Sequence, residues 1–262
     1  MHGKLGTVRY ECNVLNGIGK KGNLKCDADG YYDVILGGFD VRNTRGDLWG
    51  YQSARPFFES SSGFMKRING GMLYGEWGHP MIQPGQTNQD YINRVLNVAE
   101  GNVSHHIKSV EVDENSGFPG ENGRPAIVIY GRIKPFGPQA NCVADSLENN
   151  AQNTSFSIRT LTRDVADMLG RKTKTIVTIV TWDAVLVPGI AFSNKYAHPS
   201  LETDTMSFEG SEIIAAYDQF KQTPGSMESG FLGEQFRDVV RELHRTAPDQ
   251  KTGLILPASA YW

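Results

Sequence analysis

The residues best suited to chemistry in this sequence are a histidine, a serine and an aspartate on three separate segments. His79 stands in LYGEWGHP, Ser157 in FSIRT and Asp183 in TWDAVLVPG. A serine hydroxyl becomes a nucleophile when a base accepts its proton, and histidine is the side chain that exchanges protons near neutral pH. A third group that fixes the imidazole tautomer completes such a site. These residue types therefore indicate nucleophilic catalysis by a serine.

Other residues of the same types offer alternatives for two of these roles. Ser155 lies two residues before Ser157, and on a strand both side chains point to the same face. His105 and His106 are neighbours in VSHHIKSV, and on a strand neighbouring side chains point to opposite faces. At most one of these two histidines therefore reaches a site that contains Ser157.

A zinc site is the main chemical alternative to a serine nucleophile. Histidine nitrogens and carboxylate oxygens are zinc ligands, and the sequence offers several of them: His79, His105, His106, His198, Asp183 and Glu76. However, the chain has no HExxH motif and no pair of ligands at a diagnostic spacing. It also lacks the GxxxxGK[ST] loop that holds nucleotide phosphates. We therefore expect neither a metal nor a cofactor.

Composition is that of an ordinary globular protein and narrows the range of partners. The chain has 262 residues, 39% of them hydrophobic and 21% charged, which is enough for a full core. A formal net charge of −3 argues against a nucleic-acid partner. No apolar run has the length of a transmembrane helix or a secretory signal, so we expect no membrane partner. The three cysteines have no metal-ligand spacing and are expected as free thiols in a reducing cytoplasm.

The hydrophobic pattern predicts mainly strands up to residue 187 and helices near the end of the chain. Strands are predicted over 5–14, 31–38, 103–112, 125–133, 155–162 and 174–187. Spacings of three and four predict helices over 88–100, 212–221 and 231–246. This order is typical of an α+β fold, here a largely antiparallel β-barrel flanked by helices. The chain divides into residues 1–193 and a helical C-terminal region, residues 194–262.

Four segments together resemble a known enzyme family. In chain order GEWGHP, NVSHHIKSVEV, FSIRTLT and TIVTWDAVLVPG are similar to segments of the prohead (capsid maturation) proteases of tailed phages, in their T4-type and giant-phage, phiKZ-like branch. The resemblance covers residues 30–195. It implies a serine endopeptidase domain with the fold of the herpesvirus assemblins, an antiparallel β-barrel surrounded by helices.

The same resemblance implies roles for particular residues. The family histidine falls on His79 and the nucleophilic serine on Ser157. The assemblins have a histidine as the third member, whereas the corresponding strand here offers Asp183. His105 and His106 are the alternative third members.

Two further roles concern the substrate. The family stabilises the oxyanion with backbone amides, and the nearest candidates here are Gly189 and Ile190, because Pro188 has no amide to donate. Arg159 lies on the Ser157 face of its strand and is expected to position substrate or an oxyanion-side water. A structural ion pair is the alternative role for Arg159.

The function that follows is proteolysis during phage head assembly. The resemblance implies an endopeptidase that cleaves scaffold or core proteins, the major capsid protein and itself, inside the prohead in the host cytoplasm. It is also compatible with a homo-oligomer. The alternative is a non-enzymatic scaffold or core protein of the same ancestry.

The chain itself carries many copies of one tripeptide. Enzymes of the giant-phage branch resemble one another in cutting after Ser-x-Glu, which occurs here five times, ending at Glu111, Glu148, Glu202, Glu209 and Glu228. With 17 serines and 14 glutamates, chance placement would give about one copy. The last three lie beyond residue 193, near linkers of the kind where cleavage concentrates. We therefore predict self-cleavage after Glu202, Glu209 or Glu228, which would remove the C-terminal region.

Overall fold

The strands and helices occupy most of the segments where the hydrophobic pattern predicts them. The computed structural model describes residues 7–15, 26–42, 46–149, 152, 154–166, 172–186, 205–222 and 237–243. Its strands are β1 (Thr7–Leu15), β2 (Tyr32–Phe39), β3 (Val41–Arg42), β4 (Leu48–Trp49), β5 (Tyr74–Glu76), β6 (Val103–Asp113), β7 (Ile127–Pro135), β8 (Ser155–Ala166), β9 (Lys172–Val185) and β10 (Thr205–Glu209). Its α-helices are α1 (Tyr51–Ala54), α2 (Gly63–Asn69), α3 (Asn88–Leu96), α4 (Ala140–Glu148), α5 (Gly210–Gln222) and α6 (237–243). Short 3₁₀ helices span Arg55–Phe58, Glu100–Asn102 and Glu121–Gly123.

The strands form two sheets rather than one. The larger has six strands in the order β10-β1-β8-β9-β4-β3, and the smaller has four in the order β2-β7-β6-β5. Pairing is antiparallel except between β4 and β9. The strands predicted over 103–112 and 125–133 are confirmed as β6 and β7, which pair with each other as a hairpin. None of the helices in the described ranges is long and apolar enough to span a bilayer.

The predicted combination of antiparallel strands and helices is confirmed, but the predicted closed barrel is wrong for the part of the chain that the structure describes. One side of β9 pairs with β8 along almost the whole strand. The other side pairs with β4 only at Thr173 and Lys174. Near its end β9 meets the smaller sheet through the isolated bridge between Trp77 and Ala184. A single bridge joins the sheets there without the continuous ladder that closure requires.

The β9 strand is buried on both faces, which explains its long run of β-branched residues. Ile179 and Trp182 belong to a core cluster on one face, and Val177 and Val180 belong to a second cluster on the other. A strand that is covered on both faces has a continuous run of apolar residues in its sequence, rather than alternating apolar and polar residues. Polar residues within such a strand, Asp183 among them, are consequently withdrawn from bulk solvent.

The C-terminal region contributes a strand that the sequence analysis does not predict. β10 pairs with β1 at the edge of the larger sheet, and the five-residue segment is too short to give a clear alternating pattern. The predicted helix over 212–221 is confirmed as α5, and α6 falls within the prediction for 231–246. Ile213 of α5 and Leu243 of α6 are buried in the same cluster as Val180. The domain boundary at residue 193 stays a prediction, although β10, α5 and α6 pack against the sheet of the preceding region.

The close approach of β5 to β9 depends on Gly75. A Cβ atom there would lie 2.1 Å from the carbonyl oxygen of Trp182 and 2.2 Å from Cε1 of His105. The neighbouring contact, a hydrogen bond of 2.6 Å from Thr181 Oγ1 to Tyr74 O, fixes the same approach. We expect Gly75→Ala to lower the free energy of unfolding by about 1–3 kcal/mol, because overpacking forces the backbones apart. Urea denaturation measures this loss, and Gly101→Ala is the control because a Cβ at Gly101 meets nothing within 4 Å.

Candidate active site

His79 is held beside the end of β9 by the turn that follows β5. The amide of Gly78 donates a hydrogen bond of 2.7 Å to Ala184 O, next to the Trp77–Ala184 bridge. Gly78 has a φ of +78°, a left-handed conformation that favours glycine. The imidazole then lies against Asp183, with 3.0 Å between His79 Nδ1 and Asp183 Oδ2. His79 therefore follows a short strand and a glycine turn.

Asp183 is fully buried, and each of its two carboxylate oxygens accepts two hydrogen bonds. Oδ1 accepts from the Glu76 amide at 3.0 Å and from Arg159 Nη2 at 2.7 Å. Oδ2 accepts from Arg159 Nε at 2.8 Å as well as from His79. Burial alone raises the pKa of the carboxyl group, but the Arg159 charge and the hydrogen bonds from His79 and Arg159 outweigh it and lower the pKa to about 2.

The ionised carboxylate determines the tautomer of His79. A carboxylate without a proton only accepts hydrogen bonds, so the proton in the contact with Asp183 belongs to His79 Nδ1. In the neutral ring Nε2 then carries the lone pair that can accept a proton. The side chain of His79 is 17% exposed.

Ser157 lies opposite Asp183 in the β8–β9 ladder. Residues that face each other across an antiparallel pair project from the same side of the sheet, with Cβ atoms roughly 4.5–5.5 Å apart. The Ser157 hydroxyl is buried, and Oγ has no hydrogen-bond partner within the described ranges. Ser155 is buried on the same face. An unpaired buried hydroxyl requires an explanation, and a catalytic role supplies one.

Neither of the alternative histidines contacts His79 or Ser157 by a described hydrogen bond. His105 Nδ1 lies 2.9 Å from Ser104 Oγ, and its ring packs edge-on against Phe156, whose side chain is on the opposite face of β8 from Ser157. His106 lies at the outer side of the smaller sheet. Its Nδ1 is 3.0 Å from the Tyr31 hydroxyl and its Nε2 is 3.1 Å from Gly71 O. The structure brings Asp183 to His79, and neither His105 nor His106.

Arg159 lies below Asp183 instead of at a substrate surface. Its side chain is fully buried, and besides the two bonds to Asp183 its Nη1 donates to Glu76 Oε1 at 3.0 Å and to Asn97 O at 3.1 Å. The expectation that Arg159 touches substrate or an oxyanion-side water is therefore wrong for this structure. The oxyanion candidates Gly189 and Ile190 lie outside the described residues.

The sequence analysis missed the role of Glu76, which it considered only as a zinc ligand. Glu76 is fully buried, and its carboxylate accepts from Arg94 Nη1 at 2.8 Å, from Arg94 Nη2, from Arg159 and from the Ala99 amide at 2.7 Å. The available signal was a charged residue in each of two segments that the analysis expected at the site, GEWGHP and FSIRT. Within the described ranges no three potential ligands are grouped to hold a metal ion.

The self-cleavage candidates occupy different environments. Glu111 lies in β6 and Glu148 ends α4, so these two sites are within regular elements. Glu209 ends β10 and pairs with Thr7 of β1, so it does not lie in a linker. Glu202 and Glu228 lie outside the described residues.

The chain matches one protein family and is similar to proteins of two phages. The sequence profile of the Peptidase S80 family matches residues 10–237 of the chain. The capsid maturation protease of Pseudomonas phage phiKZ is 34% identical over 196 residues, which are 72% of this chain and 70% of that protein. Among solved structures, the bacteriophage T4 capsid assembly protease matches with a TM-score of 0.46 and 12% identity, over 68% of this chain and 98% of that one. The family match includes the segments that carry His79, Ser157 and Asp183.

Proposed function

Because the chain belongs to the peptidase S80 family, we propose that it is a serine endopeptidase with Ser157 as nucleophile, His79 as general base and Asp183 as the group that orients His79. The observation that carries this assignment is the 3.0 Å contact of His79 Nδ1 with the buried, ionised Asp183. The hydroxyl of Ser157, which lies on the strand paired with that of Asp183 and has no hydrogen-bond partner among the described residues, supports it.

The reaction follows from these positions. His79 Nε2 accepts the proton as Ser157 Oγ attacks the scissile carbonyl, and the resulting imidazolium is stabilised by Asp183. The imidazolium then donates this proton to the departing amine, and the acyl group stays on Ser157. Water, deprotonated by the same Nε2, then attacks the acyl carbonyl. As the bond between the acyl carbon and Ser157 Oγ breaks, the imidazolium returns the proton to Oγ and the new carboxyl end of the product leaves. The amides of Gly189 and Ile190 are the proposed donors to the oxyanion.

The proposed substrates are proteins of the immature phage head. The phiKZ relative is named a capsid maturation protease, and we extend that activity to this chain, with scaffold or core proteins and the major capsid protein as substrates. Its proposed location is the assembling prohead in the host cytoplasm. A homo-oligomer remains part of this proposal.

Cleavage after Ser-x-Glu is the proposed specificity, and it applies to the chain itself. Glu202 and Glu228 are the favoured sites. Cleavage after Glu209 would require β10 to separate from β1, because a protease binds its substrate in an extended form that cannot also occupy a ladder. Arg159 is not available to bind the substrate glutamate, since its donors already bond to Asp183, Glu76 and Asn97.

The test uses matched peptides and the purified chain. We expect the wild-type protein to cleave a peptide containing Ser-Leu-Glu after the glutamate, and the corresponding Ser-Leu-Gln peptide much more slowly. Ser157→Ala is expected to lower the rate by about 10³-fold or more, because only binding and oxyanion stabilisation remain. Ser155→Ala should stay active.

The outcomes separate the two candidate functions and the two serines. Intact-mass spectrometry of the stored proteins should detect shortening after Glu202 or Glu228 in the wild type and none in Ser157→Ala. A wild-type protein that leaves both peptides and itself intact would favour the non-enzymatic scaffold protein. Full activity of Ser157→Ala would remove Ser157 as the nucleophile.

A further inference from the structure

The dyad of His79 and Asp183 rests on a buried network of two arginines and two carboxylates. Arg159 and Glu76 are fully buried, whereas Arg94 at the end of α3 is partly exposed. We propose that Arg159 is a positioning residue, which holds Asp183 and thereby the His79 ring in the orientation for proton transfer, while Glu76 holds Arg159. This inference rests on the proposed function of His79 and Asp183.

The first step is the fork between Arg159 and Asp183. Arg159 Nε donates to Asp183 Oδ2 at 2.8 Å, and Arg159 Nη2 donates to Asp183 Oδ1 at 2.7 Å. The planar guanidinium and carboxylate groups therefore meet through two parallel hydrogen bonds. Such a pair fixes the plane of the carboxylate as well as its position. Because Oδ2 is also the acceptor for His79 Nδ1, the plane of the carboxylate determines the direction in which the imidazole is held.

The second step is the support that Glu76 gives to the fork. Glu76 Oε1 accepts from Arg159 Nη1 at 3.0 Å, while the backbone amide of the same residue donates to Asp183 Oδ1 at 3.0 Å. Glu76 also balances the charge, because two guanidinium groups face two carboxylates in the network. Arg159 therefore has every nitrogen occupied, and neither it nor the carboxylate has freedom to rotate.

Stability alone is a poor reason for this arrangement. Burying charged groups costs solvation, so a buried ion pair is often no better for stability than well-packed apolar residues. The network ends at His79, whose partly exposed imidazole contacts Asp183. Proton transfer depends on the orientation of this ring. A displacement of about 1 Å in a reacting group can cost roughly 100-fold in rate.

Lysine at position 159 tests orientation separately from charge. Lys keeps the positive charge but has a single ammonium group and cannot form the planar fork. With the Ser-Leu-Glu peptide, we expect Arg159→Lys to lower kcat by roughly 10–100-fold and to change KM by less than about 2-fold. Arg163→Lys is the matched control on the same strand, since Arg163 lies near Glu242, with 4.0 Å between Nη1 and Oε1, and is outside the network. It should retain wild-type kcat.

A double-mutant cycle tests whether Arg159 acts through Asp183. If it does, Arg159→Lys should cost less than about 3-fold when Asp183 is already asparagine, because the interaction it supports is gone. The rate of Ser157 labelling by a phosphonate probe, followed by mass spectrometry, keeps such weak variants measurable. Thermal unfolding of each protein identifies variants that are not folded.

Each result has one meaning. Equal losses from Arg159→Lys in both backgrounds, or a loss confined to KM, would overturn the positioning role. Should Arg159→Lys not fold, Glu76→Gln replaces it in the cycle: a loss of kcat only when Asp183 is present supports the role, and equal losses overturn it. Failure of the wild-type protein to cleave the peptide, or an active Ser157→Ala, would count against the proposed function and not against the network.

Discussion

Replacement of Asp183 by asparagine is expected to lower kcat by about 10³–10⁴-fold, the size of effect seen when the orienting carboxylate of a serine protease triad is removed. The amide group of asparagine can donate to His79 Nδ1, which then must act as acceptor. The ring proton moves to Nε2, and the base that Ser157 needs is lost. The effect is therefore on chemistry, with a small change in KM.

The same substitution should also destabilise the fold. Each oxygen of Asp183 accepts from two donors, so the NH₂ group of asparagine faces donors in either orientation. Removing the charge of one member of a buried ion pair lowers the free energy of unfolding by about 3–5 kcal/mol. The rate must consequently be measured at a temperature where unfolding curves show Asp183→Asn to be folded.

Two controls make the result specific. His105→Asn and His106→Asn remove the alternative third members and should each keep kcat within about 10-fold, far from the loss expected for Asp183→Asn. The opposite pattern, with an active Asp183→Asn and an inactive histidine variant, would transfer the orienting role to that histidine.

Local pattern was sufficient to choose the segments of this site but not its contacts. Ser157 and Asp183 each stand within a strong strand pattern, and two consecutive antiparallel strands bring them together. The choice between Asp183 and His105 depends on Gly75, which lets β5 approach β9 and leaves space for the His105 ring beside Phe156. That approach is a tertiary contact between residues about 100 positions apart, and no local pattern contains it.

The roles of the buried charged residues Arg159 and Glu76 could not be predicted from the sequence either. The sequence places Arg159 on the face of Ser157, but charge alone favours an exposed position, and only the two sheets and α3 together enclose it with Glu76. Barrel closure was wrongly predicted for a related reason. Strand patterns give the number and faces of strands, whereas closure depends on which edges pair, and here β4 occupies only the start of the free side of β9.

His105 gives the second large expected effect, on stability rather than on rate. The imidazole is completely buried against Phe156, and burial lowers its pKa from 6.5 to about 4, although the nearby charge of Asp183 partly opposes this shift. At neutral pH the ring is therefore uncharged. A histidine in the unfolded chain keeps its ordinary pKa and binds a proton below about pH 6.5.

The sign of the pH dependence follows from this difference. Between pH 6.5 and 4 the unfolded chain carries a proton on His105 that the folded protein excludes, so the free energy of unfolding falls as the pH falls. The stability is fully present above pH 6.5, and its loss between pH 7 and pH 4.5 is about 2–3 kcal/mol. Asp183 does not contribute in this range, because its stabilisation is lost only as the pH falls from 3.8 toward its folded pKa of about 2.

Urea unfolding at a series of pH values isolates the histidine. His105→Asn cannot be protonated, so its stability should fall less steeply than that of the wild type between pH 7 and pH 4.5, by the 2–3 kcal/mol assigned above to His105. His106→Asn is the matched control, because His106 is only partly buried and its variant keeps His105. It should retain most of the wild-type slope. Parallel curves for wild type and His105→Asn would mean that the pKa of His105 is the same in the folded and the unfolded protein, and they would overturn this stabilisation.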